Sequence, residues 1–184
     1  MKKSKEFISE KLIDEKNGLV WEKYDSKNWT KFGTQESVID EWSNDEGVRR
    51  FVSKRRSISQ HLTSLVTNKK NMFYAYSGDR VVGVVLIVRP EKDYEYATID
   101  YIVVDPKLQG QGVGARMICS IKDHGEFFAQ GYKGKLDAFV DNHNFASKGA
   151  LKKSGFVAAK PIVSHGIDGY CRWYFEERSM TNDK

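Results

Sequence analysis

The sequence predicts an α/β domain of the α+β type, a mixed and mostly antiparallel sheet of about six to seven strands flanked by helices. Three observations predict it. Apolar residues first recur at helical spacing, then gather in two strand-like runs around Gly78-Asp79, a two-residue hairpin signal. A single strand–helix–strand crossover follows, and then a helix and more strands, which is not the regular alternation of a purely parallel sheet. The bulk numbers suit one such domain spanning residues 1–184: 40% hydrophobic residues, 30% charged, in a chain of 184.

Each element has its own signal. Residues 1–17 are Lys/Glu-rich with Phe7, Ile8, Leu12 and Ile13 at helical spacing, which predicts a short peripheral helix. Leu19 to Tyr24 reads as a strand. Val38, Ile39 and Trp42 mark a short helix ending near Ser43-Asn44-Asp45, a cluster that also suits the cap of the next one. From Val48 apolar residues recur at Phe51, Val52, Ile58, Leu62, Leu65 and Val66, predicting one long amphipathic helix. Met72 to Ser77 and Val81 to Val88 are the hairpin strands, Pro90 to Tyr96 a polar loop, and Ala97 to Val104 the next strand. Val113, Met117, Ile118 and Ile121 share one face of a helix. Lys135 to Val140 is a strand, and Asn144 to Ser154 a helix closed by Gly155. Phe156 to Ala159 and Tyr170 to Phe175 complete the sheet, and residues 176–184 form a polar tail expected to fray.

Composition narrows the function classes. A net charge of +5, with acids and bases interspersed, describes a solvated surface and gives no reason to expect nucleic acid as a partner. The longest apolar run, Val81 to Val88, is too short to span a bilayer, and the basic start at Met1-Lys2-Lys3 leads into no apolar segment. No membrane partner and a cytoplasmic location are expected. Cys119 and Cys171 form no disulfide framework, and His61, His124, His143 and His165 stand at no metal-ligand spacing, so neither metal nor covalent nucleophile is expected. Whether the chain forms a homodimer is left open.

The chemistry is concentrated at Asp105-Pro106-Lys107-Leu108-Gln109-Gly110-Gln111-Gly112-Val113-Gly114-Ala115. Pro106 forces Asp105 out of the helical region and stops the strand. Glycines at alternate positions allow positive φ or close approach of a ligand, and the helix that starts there points unpaired N–H groups at the loop. That is an anion site suited to phosphate or diphosphate. A phosphate-binding G-x-x-x-x-G-K-[ST] loop is excluded, because no Lys-Ser or Lys-Thr follows the glycines. The dinucleotide fingerprint G-x-G-x-x-G/A is matched by Gly110, Gly112 and Ala115, with Asp137 or Asp141 where a ribose-binding acid would stand. Against it, Asp105 to Gln109 separate strand from first glycine, and a hairpin and helices precede the unit.

A third reading accommodates both facts. Gln109, Gly112 and Gly114 resemble the Gln/Arg-x-x-Gly-x-Gly/Ala acetyl-CoA motif of the GNAT superfamily of N-acyltransferases. Asn144 followed by Leu151-Lys152-Lys153-Ser154-Gly155-Phe156 resembles that family's Asn-led helix ending in Lys-x-Gly-Phe. The resemblance covers about residues 70 to 160. It implies acetyl-CoA as cosubstrate and a primary amine of a small molecule, peptide or protein as acceptor. It also implies a splayed central strand pair, with strands 97–104 and 135–140 opening to admit the pantetheine arm. The diphosphate would then lie on the backbone of Gln109, Gly110, Gln111, Gly112, Val113, Gly114 and Ala115, and the arm would pair with Ile102, Val103 and Val104. Asn144 would touch the coenzyme or simply cap its helix, and Lys148, Lys107, Arg116 or Lys152 would reach a 3′-phosphate.

Direct attack on a thioester needs a neutral amine, an oxyanion donor and a proton for the thiolate. The N–H of Val103 or Val104 is the candidate donor and Asp100 the candidate general base. The family's usual tyrosine acid is replaced by Leu151, which leaves Tyr174 or Tyr170 as substitutes. The acceptor site is expected at Trp42 to Val48 and at the loop Glu91 to Glu95. Two other readings stay open: a non-catalytic acyl-CoA-binding module, and an NAD(P)-dependent oxidoreductase.

Overall fold

The structure, a computed structural model, describes residues 11–25, 27, 32–52, 57–159 and 169–177. Its strands are β1 (Lys11–Asp14), β2 (Leu19–Lys23), β3 (Lys70–Ser77), β4 (Arg80–Val88), β5 (Ala97–Val104), β6 (Lys135–Asp141), β7 (Val157–Ala158) and β8 (Tyr170–Glu176). Its helices are α1 (Gly33–Glu41), α2 (Glu46–Phe51), α3 (Ile58–Leu65), α4 (Val113–Asp123), α5 (Gly125–Phe128) and α6 (Phe145–Lys153), with single 3-10 turns at Trp42–Asn44 and Pro106–Leu108. The eight strands form one sheet in the order β1-β2-β3-β4-β5-β6-β8-β7. Every neighbouring pair is antiparallel except β5–β6.

Packing explains this arrangement. β4 is buried along nearly its whole length because helices cover both faces of the sheet, so its sequence is a continuous apolar run. On one face Met117, Ile118, Ile121, Phe128 and Leu151 from α4, α5 and α6 pack on Trp21, Phe73 and Val85. On the other Ile39, Trp42, Val48, Ile58 and Leu62, from α1 to α3 and the turn after α1, pack on Met72, Tyr74, Val84 and Leu86. The hairpin turn is the expected one: Ser77 faces Arg80 and Gly78 takes φ +59.

Two expectations are corrected, and one competing reading is set aside. Leu12 and Ile13 lie in β1, not in a helix, which raises the strand count among the described residues to eight. The cause is Asn17-Gly18, a turn with Gly18 at φ +64 that folds Leu12 onto Trp21. Residues 1–10, with Phe7 and Ile8, lie outside the described residues, as do His165 and 178–184 of the tail. The single long helix from Val48 is two helices, each with its own cap: Asp45 accepts from the Val48 N–H at 3.0 Å, and Ser57 from the Gln60 N–H at 3.3 Å. Finally, the sheet has only one parallel pair among the described strands, so it is not the doubly wound sheet of a dinucleotide-binding fold.

Candidate active site

β5 and β6 part almost as soon as they meet. Their ladder consists of Ala97 opposite Leu136 and Thr98 opposite Asp137. Beyond that point β6 runs with β8 up to Asp141 opposite Tyr170, and among the described strands β5 keeps only β4. The vertex is clasped by Asp137, fully buried, whose carboxylate accepts from Thr98 Oγ1 at 2.7 Å, from Arg172 Nε at 2.9 Å and from the Tyr94 hydroxyl. Burial first, and then the hydrogen bond to Asp137 and its charge, push the Tyr94 hydroxyl up to about 12.

Which backbone groups face the gap follows from the ladder. The Asp105 N–H donates to the Val82 carbonyl at 3.0 Å. In an antiparallel pair, hydrogen-bonded and non-bonded residues alternate. Val103, opposite Val84, is therefore committed to β4, and its side chain is buried on the α1–α3 face. Ile102 and Val104 turn their N–H and C=O groups to the open side. The Val104 carbonyl there accepts from Gln109 Nε2 at 3.4 Å. Of the two candidate oxyanion donors, Val104 is thus the one that faces the gap.

The gap runs into the glycine loop. Gly110 and Gly112 take φ +77 and +83, and a Cβ at either would meet nothing within 4 Å. Their positions are demanded by backbone conformation and border open space. Gly112 caps α4 without a side chain, so the N–H groups of Val113, Gly114 and Ala115 have no intrahelical acceptor. Gly114 serves differently. It is helical, and a Cβ there would lie 3.6 Å from Ala150 Cβ and Val104 Cγ2, in ordinary contact with α6 and β5. Gln111 Nε2 turns back to the Lys107 carbonyl at 3.0 Å.

A cleft of about 220 Å³ joins these parts, bounded by Ile102, Val103, Val104, Gln109, Gly110 and Gly114 on one side and by Gly47 and Val48 of α2 on another. A second cavity of about 400 Å³ shares Phe51, Val52, Ile102, Asn144 and Ser147 with it and continues past Asp100, Tyr101 and Tyr170. Asn144 borders both, but its side chain is used as a helix cap, accepting from the Ser147 N–H at 3.0 Å.

The remaining expected residues divide. Asp100 borders the larger cavity but is bridged to Lys70 Nζ at 2.8 Å. Tyr174 sits level with Asp137 at the vertex, whereas Val104 lies six residues farther up β5, about 20 Å along an extended strand. Tyr170, at the open end, is the tyrosine of β8 that borders the cavity. Lys148 donates to the Asn142 carbonyl at 2.8 Å, and Arg116 to the Asn17 carbonyl at 3.2 Å. Leu151 is buried in the core beneath the cavity. Of the expected acceptor region, only Gly47 and Val48 reach the cleft, joined there by Phe51 and Val52, while Trp42 and Asp45 border a separate cavity of about 790 Å³. The Glu91 to Glu95 loop borders neither cavity: Tyr94 is bound at the vertex, Glu91 to Lys69 and Glu95 to Lys135.

Sequence reasoning missed the pairing of Tyr101 with His61. Tyr101 borders the cavity of about 400 Å³, and its hydroxyl lies 3.1 Å from His61 Nε2 of α3. Strand alternation would put Tyr101 and Asp100 on opposite faces. The register shift between Leu86 and Ile87 leaves Asp100 without a partner on β4, a bulge that changes the phase.

Comparison with known proteins agrees with this geometry. No curated protein matches the chain. Among solved structures it is similar to an acetyltransferase from Thermus thermophilus, with 18% identity over 85% of this chain and 95% of that one and a TM-score of 0.62. It is similar to a spermidine N-acetyltransferase from Vibrio cholerae in complex with CoA and spermine, with 16% identity over 86% and 96% and a TM-score of 0.61. It is also similar to AAC(6')-Ib in complex with paromomycin and acetyl-CoA, with 12% identity over 88% and 94% and a TM-score of 0.65. The family model described as the acetyltransferase (GNAT) family matches residues 34–156, two thirds of the chain, and the chain belongs to that family.

Proposed function

We propose that the chain transfers the acetyl group of acetyl-CoA to a primary amine by direct attack on the thioester. One observation carries the reading: the backbone that Ile102 and Val104 turn away from β4 faces a cleft that reaches Gly110 of the loop and Gly114 at the start of α4. An extended amide-bearing arm can pair with such an edge, and a diphosphate can lie on the N–H groups of Val113 to Ala115. When bound, acetyl-CoA would supply the activated acyl carbon. The Val104 N–H would hold the developing oxyanion. Neighbouring structures carrying CoA or acetyl-CoA beside spermine or paromomycin support an amine acceptor. Asp100 enters as the partner of Lys70, whose ammonium occupies its carboxylate at 2.8 Å.

A second reading, a non-catalytic acyl-CoA-binding module, is favoured by buried Leu151 at the usual position of the acid. One pair of measurements separates the readings. Acetyl-CoA, and not NAD(P)H, should raise the melting temperature. Release of free thiol across a panel of amines should follow. No stabilisation by acetyl-CoA defeats both readings, and stabilisation without thiol release leaves the binding module.

A further inference from the structure

We propose that Tyr101 and His61 form the proton relay of the acyl transfer, with the Tyr101 hydroxyl meeting the reacting groups and His61 holding the proton behind it. The proposal rests on the acetyltransferase reading above.

Four observations lead to it. The bulge at Asp100 brings Tyr101 to the cavity wall next to Ile102, whose backbone already faces the gap. The hydroxyl is fixed from behind, at 3.1 Å from His61 Nε2, with the two rings edge to face at 5.4 Å. α3 itself is held in place: the Ser57 cap starts it, and Asp40 accepts from the Ser59 N–H at 2.8 Å and the Ser59 hydroxyl at 2.7 Å. Of the alternatives, Asp100 holds Lys70, Tyr174 stands at the vertex, Leu151 carries no proton, and Tyr170, which borders the cavity, is an exposed side chain at its open end. Burial first, and then the Asp100 charge, raise the pKa of the Tyr101 hydroxyl, so it stays a donor at neutral pH.

Every proton has a destination. The ammonium form of the acceptor gives one proton to the Tyr101 oxygen as the Tyr101 proton passes to His61 Nε2. The freed amine attacks the acyl carbon, a C–N bond forms, and the oxyanion is held by the Val104 N–H. The new C–N nitrogen loses a second proton to water. The C–S bond then breaks with its electron pair on sulfur, and the proton on His61 returns through Tyr101 to the thiolate. His61 acts through Tyr101 and is a positioning residue, whereas Tyr101 meets the reacting atoms.

The test measures acetyl-CoA affinity by calorimetry and thiol release with spermine, paromomycin and a short lysine peptide, from about pH 5 to 9, a range that spans imidazole titration. Tyr101→Phe and His61→Gln should each lower kcat/KM by about 100-fold with acetyl-CoA affinity unchanged. His61→Gln should also abolish the acid limb of the pH profile. Other charged or titratable groups border this cavity or pair with those that do: Asp100 with its partner Lys70, Asp141 with His143 and Arg50 near its carboxylate, and Tyr170. His143→Gln should leave the limb in place. In the wild type, the His61 ring followed by NMR should titrate at the pH of that limb.

Unchanged rates and limb in both variants overturn the relay, as does a limb that the His61 titration fails to match. A loss of affinity equal to the loss of rate overturns it in favour of a structural role. A wild type that binds acetyl-CoA but acetylates none of the probes leaves the binding module and overturns the acetyltransferase reading together with the relay. A wild type that does not bind acetyl-CoA at all brings down the acetyltransferase reading instead.

Discussion

Thr98 donates to Asp137 at 2.7 Å at the last paired position before β5 and β6 separate. The same carboxylate holds Arg172 of β8, whose guanidinium lies over the Tyr96 ring at 4.4 Å. One buried acid therefore ties β5, β6, β8 and the loop before β5 at the root of the opening. Asp137→Ala should cost about 3 kcal/mol, at the lower end for a broken buried pair because Arg172 keeps some access to water. Urea unfolding gives that number. Acetyl-CoA affinity should fall as well, since the cleft geometry depends on where the strands part. Full affinity in a destabilised Asp137→Ala protein would show that the clasp does not shape the cleft.

The opposite side of the cleft depends on Gly83. A Cβ there would stand 2.5 Å from Met117 Sδ and 2.9 Å from the Val103 carbonyl oxygen. Gly83 faces Val104 in the ladder, and Met117 belongs to the helix that starts at the glycine loop. Gly83→Ala should destabilise by about 1–3 kcal/mol through overpacking, because β5 or α4 must move. Thermal unfolding tests this. A neutral substitution would mean that Met117 swings away without cost.

Gly112 separates conformation from ligand space. Its φ of +83 penalises any other residue by about 1–2 kcal/mol, but a side chain there has open room. Gly112→Ala should therefore lower stability modestly and weaken acetyl-CoA binding about tenfold or more, since the added methyl group stands where a diphosphate would lie. Calorimetry against acetyl-CoA reads the second effect. Weakened stability with unchanged affinity would reduce the loop to a tight turn.

What was legible in the sequence is what is local. The hairpin at Gly78-Asp79, the extent of β5 and the glycine loop before α4 follow from period and turn chemistry alone. β1 was hidden because Leu12 and Ile13 are too short a run to fix a period, although Asn17-Gly18 carried the hairpin signal. Alternation correctly places Tyr170 and Tyr174 on one face of β8, but only the register with β6 shows that Tyr170 is at the open end and Tyr174 at the vertex. Tyr101 was out of reach for a related reason. A one-residue bulge shifts the phase of β5, and its partner His61 is forty residues away on another element.

Asp14 makes acid stability readable at a site far from the cleft. It is buried at the end of β1, accepts from the Asn17 N–H at 3.1 Å and from Asn17 Nδ2 at 2.8 Å, and lies 3.7 Å from His124 Nε2. Ser120 bonds to it as well and also accepts from Trp21 Nε1 at 2.7 Å, which links β1, β2 and α4. Burial alone would raise the Asp14 pKa, but the hydrogen bonds from Ser120 and Asn17, with His124 nearby, outweigh it and hold the carboxyl below its ordinary value. A depressed folded pKa means stability that is present above the unfolded value, about 3.9, and is lost as pH falls through the folded one. Asp14→Asn should be about 1–3 kcal/mol less stable than wild type at neutral pH. The gap should narrow below about pH 4, because only the wild type loses the contribution there. Urea midpoints from neutral pH down to about pH 2 check the sign, and a gap that stays constant across that range would remove Asp14 from the acid response.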